Sequence, residues 1–185
     1  LSIRRQRQMC IRDRDSVDSN LYSMITVSDN DAANTLTTYL GGGDSAAGMQ
    51  AVNSFCQAHG YDQTHMGRML LASNENDDNY TSVGDCGHLL QEIYKQDTSG
   101  YTHAADMFNL LKAQTRCNKI PAQLPERVKT ANKTGELDNV ENDAGIIYDS
   151  KNDVVIVFMS QNLSSAGSAQ NTIATLSRTI YDYYN

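Results

Sequence analysis

The sequence predicts an α/β protein of the segregated α+β kind, a helical domain followed by an antiparallel β-sheet covered by helices. Apolar residues recur at helical spacing up to about residue 118. β-branched runs separated by short turns then follow, and an amphipathic segment closes the chain. Three strands with one covering helix make an incomplete layer, so we expect part of the fold to lie before this sequence.

Capping and stop residues divide the first part of the chain into helices. A polar N-cap residue followed by apolar residues at helical spacing marks each beginning. The stretch at 61–80 is polar and rich in Asn and Asp, which predicts a long loop. The predicted helices follow Ser28-Asp29-Asn30 (to the glycines at 41–43), Asp44 (to Gly60) and Ser82-x-x-Asp85, with a shorter one at 103–112.

The second part of the chain predicts strands and one long helix. Short joins at 135–139 and 150–153 suit antiparallel neighbours. The strands are predicted at Arg127–Thr134, Ala144–Asp149 and Val154–Ser160. The tail, Ser165–Tyr184, is predicted to pack on the sheet through Ala169, Ile173, Leu176 and Ile180.

Charge separates the first fourteen residues from the rest. Leu1–Arg14 carries five of the 15 Lys+Arg and a net charge of +4, which leaves −11 on the remaining 171 residues. A nucleic-acid arm or a polybasic membrane tag is the functional interpretation. Against it, the acidic remainder continues no basic face and no aromatic residue interleaves the arginines. The segment resembles a translated adaptor or assembly scar, which would be no part of the natural fold. The predicted organisation is a scar at 1–14, a helical domain at 15–118 and the sheet with its last helix at 119–185.

Cysteine and histidine patterns give no metal or disulfide signal. The four cysteines have no C-x-x-C spacing, and without Cys10 their number is odd, so we expect Cys56, Cys86 and Cys117 to be small buried thiols. The four histidines form no H-E-x-x-H pattern, so no metal and no cofactor is predicted. No apolar run approaches eighteen residues, and no apolar segment follows the N-terminal arginines as it would in a signal peptide.

Two short motifs are the candidates for chemistry. Ser28-Asp29-Asn30 opens a predicted helix, which we expect Ser28 to start, and Lys133-Thr134-Gly135 ends the first predicted strand. Taken singly, Ser-Asp-Asn is a common capping sequence. A Lys-Thr-Gly that leaves a strand is most often a solvated lysine before a turn.

Together with their surroundings the motifs are more specific. The chain resembles the class A β-lactamases and related penicillin-recognising serine hydrolases, whose set is S-x-x-K, S-D-N and K-T-G. The resemblance covers Leu21–Tyr184 and is most specific over Leu110–Glu136. It implies a helical domain beside an antiparallel sheet, acyl transfer to a serine, an extracytoplasmic location and a monomer.

The resemblance also implies a role for each motif residue. Ser28 would relay a proton to the leaving nitrogen, and Lys133 would keep that hydroxyl poised and attract the substrate carboxylate. The Asn30 amide would bind the substrate's side-chain amide, while Asp29 would support the turn. The remaining substrate contacts would be the Thr134 hydroxyl, at Lys133-Thr134-Gly135, and the backbone N–H of Glu136 as one oxyanion donor.

Two departures from the family pattern limit the expected activity. No Ser-x-x-Lys occurs in the 185 residues, so the nucleophile and its lysine are absent from this chain and we expect it not to hydrolyse substrate by itself. In the long loop, Leu70 stands where class A enzymes carry the glutamate that activates the deacylating water. Arg68 and Asp78 could pair to close that loop, and Glu75 is a possible substitute base although a solvated position is favoured.

Three functions remain open. The favoured one is a fragment of a class A β-lactamase-like serine hydrolase acting on a β-lactam or a related amide. The alternative enzyme is a D,D-peptidase-like, penicillin-binding protein acting on peptidoglycan peptides. A non-catalytic relative that keeps the site for binding is the third. Small molecules are the expected partners, and nucleic acid and a membrane span are not expected.

Overall fold

The computed structural model describes residues 16–96 and 100–185. The predicted scar at 1–14 lies outside the described residues. Within them the chain forms six α-helices, one short 3-10 helix and a three-stranded antiparallel sheet, so the predicted α+β class is confirmed. Contacts divide the chain into two compact units, residues 1–80 and 81–185.

The first unit contains three helices. The chain is helical from 16 to 26 (α1), and α2 (Asn30–Leu40) and α3 (Ser45–Ala58) follow. Asp44 caps α3 as predicted, its side chain accepting hydrogen bonds from the amides of Ala46 and Ala47. A Cβ on Gly48 would lie 1.9 Å from the carbonyl oxygen of Thr37, so α2 and α3 approach each other backbone to backbone.

The predicted long loop is confirmed at the end of this unit. Its two ends pair in an isolated antiparallel bridge between His65 and Tyr80, with N···O distances of 2.9 and 3.1 Å. A surface loop whose ends meet in this way has the form of an Ω-loop. We call residues 65–80 the Ω-loop.

The second unit contains α4 (Val83–Tyr94), α5 (Ala104–Lys112), the 3-10 helix Ile120–Gln123, and the sheet. Its strands are β1 (Lys129–Leu137), β2 (Val140–Tyr148) and β3 (Val154–Phe158), in the order β1-β2-β3, followed by α6 (Ala166–Tyr184). Helices α4 and α5 contact the sheet of this unit. The predicted domain boundary at 118/119 marks the change of hydrophobic period and stays a prediction, whereas contacts divide the chain before α4.

The first two strands are longer than the sequence predicts. The predicted join at 135–139 is wrong for most of its length, because β1 continues to Leu137 and β2 begins at Val140, leaving a two-residue turn. The sequence did not indicate this extension for two reasons. Glycine, here Gly135, is depleted in strands. Glu136 and Glu141 face each other across the two strands, and like charges in that position disfavour pairing. The Lys-Thr-Gly motif therefore lies inside a strand.

Helix α6 packs on the sheet through a stripe that overlaps the predicted one, since Ile173 is buried and Ile180 packs against the core as predicted. Ile173, Ala174, Ser177 and Tyr181 are buried, at the i, i+4, i+8 spacing of one helix face, whereas Leu176 is 44% exposed. Small side chains at 174 and 177 allow close approach. The core is formed by Ile120, Ile147, Ile156, Ile173 and Tyr181. Among the described residues, no helix combines the length and hydropathy that crossing a membrane requires.

The cysteines do not share one environment. Cys56 is buried, Cys86 is half-buried and Cys117 is exposed, and all three are free thiols. The expectation of three buried thiols is therefore wrong for Cys117, which lies in the exposed segment after α5.

Candidate active site

Ser28 has a strained backbone. The amides of Val27 and Asp29, on either side of it, both donate to the carbonyl of Ser23 at 3.2 Å. In this turn Ser28 takes φ 60°, the left-handed region that a non-glycine residue adopts at a cost of roughly 1–2 kcal/mol. Leu71, Gln96, Asp149 and Asn162 share a positive φ, and strained residues of this kind cluster at functional sites.

The helix cap is Asp29, not Ser28. The Asp29 side chain accepts a hydrogen bond from the Ala32 amide at 2.9 Å, and α2 begins at Asn30. The expectation that Ser28 itself starts the helix is therefore wrong, because a left-handed residue cannot take the extended N-cap conformation that Asp29 has. Asp29 thus supports the turn as a cap, and the half-buried Asn30 is the first helical residue.

Asn34 fastens the Ω-loop to α2, a contact that the sequence did not predict. Its amide nitrogen donates to the Leu70 carbonyl at 3.1 Å, and its amide oxygen accepts from the Leu70 amide at 2.9 Å. The backbone of Leu70 is therefore fixed although its side chain carries no catalytic group. The sequence signal available was the position of Asn34 four residues after Asn30, on the same helix face.

Arg68 and Asp78 form an ion pair across the Ω-loop. Arg68 Nε lies 2.7 Å from Asp78 Oδ1, and Arg68 also donates to the carbonyl of Ala72 at 3.1 Å. A hydrogen bond from Asn74, with the Asn79 amide and Arg68, holds the pKa of the Asp78 carboxyl below its usual range. Glu75, the suggested substitute base, is solvent-exposed.

A second pair closes the ends of the Ω-loop. His65 Nε2 lies 2.7 Å from Asp77 Oδ2, and this hydrogen bond lowers the pKa of the Asp77 carboxyl. Asp77 also occupies the space that a side chain at Gly67 would need, since a Cβ there would lie 2.4 Å from its carboxyl carbon. The loop is thus fixed at both its ends and, through Asn34, near its middle.

The Lys-Thr-Gly motif lies on β1, an edge strand of the described sheet. Lys133 is half-buried and its Nζ donates to the Thr134 carbonyl at 2.6 Å. Burial, reinforced by Arg116, lowers the pKa of the Lys133 ammonium. Thr134 is 4% exposed, so its hydroxyl is much less accessible than Lys133.

Glu136, next in the strand, is held by two cations that the sequence did not predict. Arg116 lies 2.8 Å from one carboxylate oxygen and Lys119 lies 2.9 Å from the other. The hydrogen bond from Lys119 lowers the pKa of the Glu136 carboxyl. No sequence pattern could have found these pairs, because they join residues 17 and 20 positions apart in different elements.

An open depression of about 800 Å³ lies along α2 in the first unit, lined by Asp31, Asn34, Thr35, Thr38, Tyr39, Gly42 and Gly43. Neither Ser28 nor Asn30 lines it. In the part of the chain that the structure describes, no cluster of three His, Cys, Asp or Glu side chains could hold a metal ion.

Comparison with known proteins extends these findings. The model of the beta-lactamase enzyme family matches residues 12–184. The β-lactamase from Sphaerobacter thermophilus DSM 20745 is 23% identical with a TM-score of 0.78, over 90% of this chain and 62% of that one. The β-lactamase from Chitinophaga pinensis DSM 2588 is 22% identical with a TM-score of 0.78, over 90% and 64%.

PBP-A is 24% identical with a TM-score of 0.76, over 88% of this chain and 59% of that one. A mutant of PBP-A is similar as well, and its structure is an acyl-enzyme complex with penicillin G. The chain thus spans about three fifths of the length of these structures. No curated protein matches it.

Proposed function

We propose that this chain, which belongs to the beta-lactamase enzyme family, is part of a penicillin-recognising serine hydrolase whose nucleophile lies outside these 185 residues. The reaction would be acyl transfer from a β-lactam or a related amide to that serine. The observation that carries the proposal is the left-handed Ser28 between α1 and α2, a strained serine at the start of the Ser-Asp-Asn motif.

The first half-reaction needs proton transfer and charge stabilisation. Ser28 would pass a proton to the leaving nitrogen, since an amide nitrogen leaves poorly until it is protonated. Lys133 would take part in proton exchange and attract the substrate carboxylate. Its lowered pKa suits this role, because an ammonium that releases its proton more readily can take part in proton exchange nearer neutral pH.

The remaining motif residues would bind and stabilise the substrate. The Asn30 amide would bind the substrate's side-chain amide, and the backbone N–H of Glu136 would donate to the developing oxyanion from edge strand β1. The Thr134 hydroxyl, at Lys133-Thr134-Gly135, would contact the carboxylate after a small opening, since that residue is 4% exposed. Loss of one oxyanion donor costs roughly 10²–10³ in rate.

The second half-reaction, hydrolysis of the acyl group, lacks an evident base. Asn34 fixes the backbone of Leu70, where the resemblance places a glutamate in class A enzymes, and the neighbouring Leu71 is 77% exposed. Leucine cannot activate water. These observations favour a long-lived acyl-enzyme, and hence a penicillin-binding or D,D-peptidase-like protein over an efficient β-lactamase.

The test uses the complete reading frame that contains this sequence. A Ser-x-x-Lys upstream of Ser28 and stable labelling of the whole protein by fluorescent penicillin are expected. Slow turnover of a chromogenic cephalosporin should accompany the labelling. Rapid turnover would contradict the role assigned to the Leu70 loop. A frame without Ser-x-x-Lys, or a protein that takes no label, would instead support a non-catalytic binding relative.

A further inference from the structure

A completely buried lysine lies beside the motif strand. The Lys119 side chain is 0% exposed, and lysine is almost never fully buried unless its charge is paired. Its Nζ lies 2.9 Å from Glu136 Oε1 on β1 and 2.7 Å from Glu141 Oε2 on β2. The second contact is an ion pair by distance, although its angles do not make a hydrogen bond.

The two glutamates need this cation. Glu136 and Glu141 are direct partners in the β1–β2 register, and like charges in that arrangement destabilise a sheet. Lys119 neutralises both and also donates to the Asn142 carbonyl at 3.1 Å. The last residues of β1 can therefore remain paired with β2 although two carboxylates face each other there.

The next residue fixes the other end of the motif. The Ile120 amide donates to Asp143 Oδ2 at 3.0 Å, and Asp143 Oδ1 accepts from Asn132 Nδ2 at 3.0 Å. Asn132 immediately precedes Lys133, and Glu136 immediately follows Gly135. Two consecutive residues, Lys119 and Ile120, thus hold the strand on both sides of Lys-Thr-Gly.

The charges around Lys133 follow from the same arrangement. Arg116 and Lys119 lower the pKa of the Lys133 ammonium in addition to burial, whereas Asp143 and Glu136 oppose them. Arg116 also pairs with the second carboxylate oxygen of Glu136, with 2.8 Å between Arg116 Nη1 and Glu136 Oε2. If Lys119 were lost, Glu136 would still pair with Arg116, which is partly exposed.

We propose that Lys119 is a positioning residue of the acyl-transfer site, whose buried ammonium fixes the end of β1 and cancels the Glu136 and Glu141 carboxylates there. The edge strand then presents a cation, Lys133, to an anionic substrate without a competing negative charge. The inference deepens the function proposed above and rests on it for its catalytic meaning.

The first experiment measures the titration of Lys133 in this chain. Trace acetylation followed over a range of pH, with the exposed Lys129 as internal reference, reports the pKa of the Lys133 ammonium. Lys119→Met should raise that pKa and slow acetylation of Lys133 at pH 8 by about three- to tenfold, since it removes a neighbouring cation and uncovers two carboxylates.

A second variant should shift the pKa of Lys133 in the opposite direction. Glu136→Gln keeps an acceptor for Lys119 but removes a carboxylate, so it should lower the pKa of Lys133 and speed its acetylation. In the double variant, the acetylation rate of Lys133 should lie between the rates of the two single variants. Lys151→Met, at an exposed loop position, should change nothing. If loss of Lys119 only loosened the structure around Lys133, acetylation of Lys133 would become faster in every Lys119 variant. That outcome, or an unchanged titration of Lys133, would overturn the inference.

Acylation of the complete protein is the second readout. Lys119→Met should slow fluorescent-penicillin labelling by at least about tenfold and move its pH profile upward. If the wild-type protein takes no label, the proposed function fails while the Lys133 titration still reports on Lys119. If labelling occurs and Lys119→Met labels at the wild-type rate, only the inference about Lys119 fails.

Discussion

Replacing Ser28 tests the strain that marks the first motif. Ser28→Gly and Ser28→Ala both remove the hydroxyl, so their difference in stability reports on the backbone at φ 60°. Glycine avoids a left-handed cost of roughly 1–2 kcal/mol. It loses roughly 0.5–1 kcal/mol more chain entropy on folding than alanine. Ser28→Gly should therefore be more stable than Ser28→Ala by about 0.5–1 kcal/mol.

Urea denaturation followed by circular dichroism measures the difference. With m about 2 kcal/mol/M, the two midpoints should differ by about 0.3–0.5 M. Ser54, exposed within helix α3, is the matched control. Ser54→Gly should be less stable than Ser54→Ala by about 1 kcal/mol, so the difference has the opposite sign from that at Ser28. Equal stability of the Ser28 variants, with the expected difference at Ser54, would refute a left-handed Ser28.

Three further substitutions test the surroundings of the site. Gly145→Ala should lose about 1–3 kcal/mol of unfolding free energy by denaturation, because its Cβ would lie 2.6 Å from that of Asn132, whereas Gly167→Ala, with open space around it, should not. Asn34→Leu should raise the hydrogen-exchange rate of the Leu70 amide by about tenfold or more without unfolding α2. Asp78→Asn should be less stable than wild type at pH 7. The stability from a carboxyl with a lowered pKa is present above its unfolded pKa and lost as pH falls, so the two proteins should converge in unfolding midpoint below about pH 4.

Local sequence signals were sufficient to predict where most of the helices begin. Asp44 and Ser82 cap helices where the sequence predicts caps, because the N-cap interaction is made within three residues of the cap. At Ser28 the same reasoning was one residue off. The left-handed turn before the cap depends on hydrogen bonds back to Ser23, which no cap pattern encodes.

Long-range contacts decided what the sequence could not predict. Past Gly135, β1 carries Glu136, which pairs with Lys119 from 17 positions earlier, and a lone lysine before Ile-Pro carries no signal of burial. The buried stripe of α6 includes Ser177, which a hydrophobic pattern passes over. The candidate motifs were predictable because their residues are adjacent in sequence, whereas the residues that hold them in place are not.

The most direct measurement compares acylation rates of the complete protein and its variants. The second-order rate constant for labelling by fluorescent penicillin should fall by about 10² or more in both Ser28→Ala and Lys133→Ala. It should stay near the wild-type value in Lys129→Ala, an exposed lysine on the same strand. Labelling of Lys133→Ala at the wild-type rate would contradict the catalytic role proposed for Lys133.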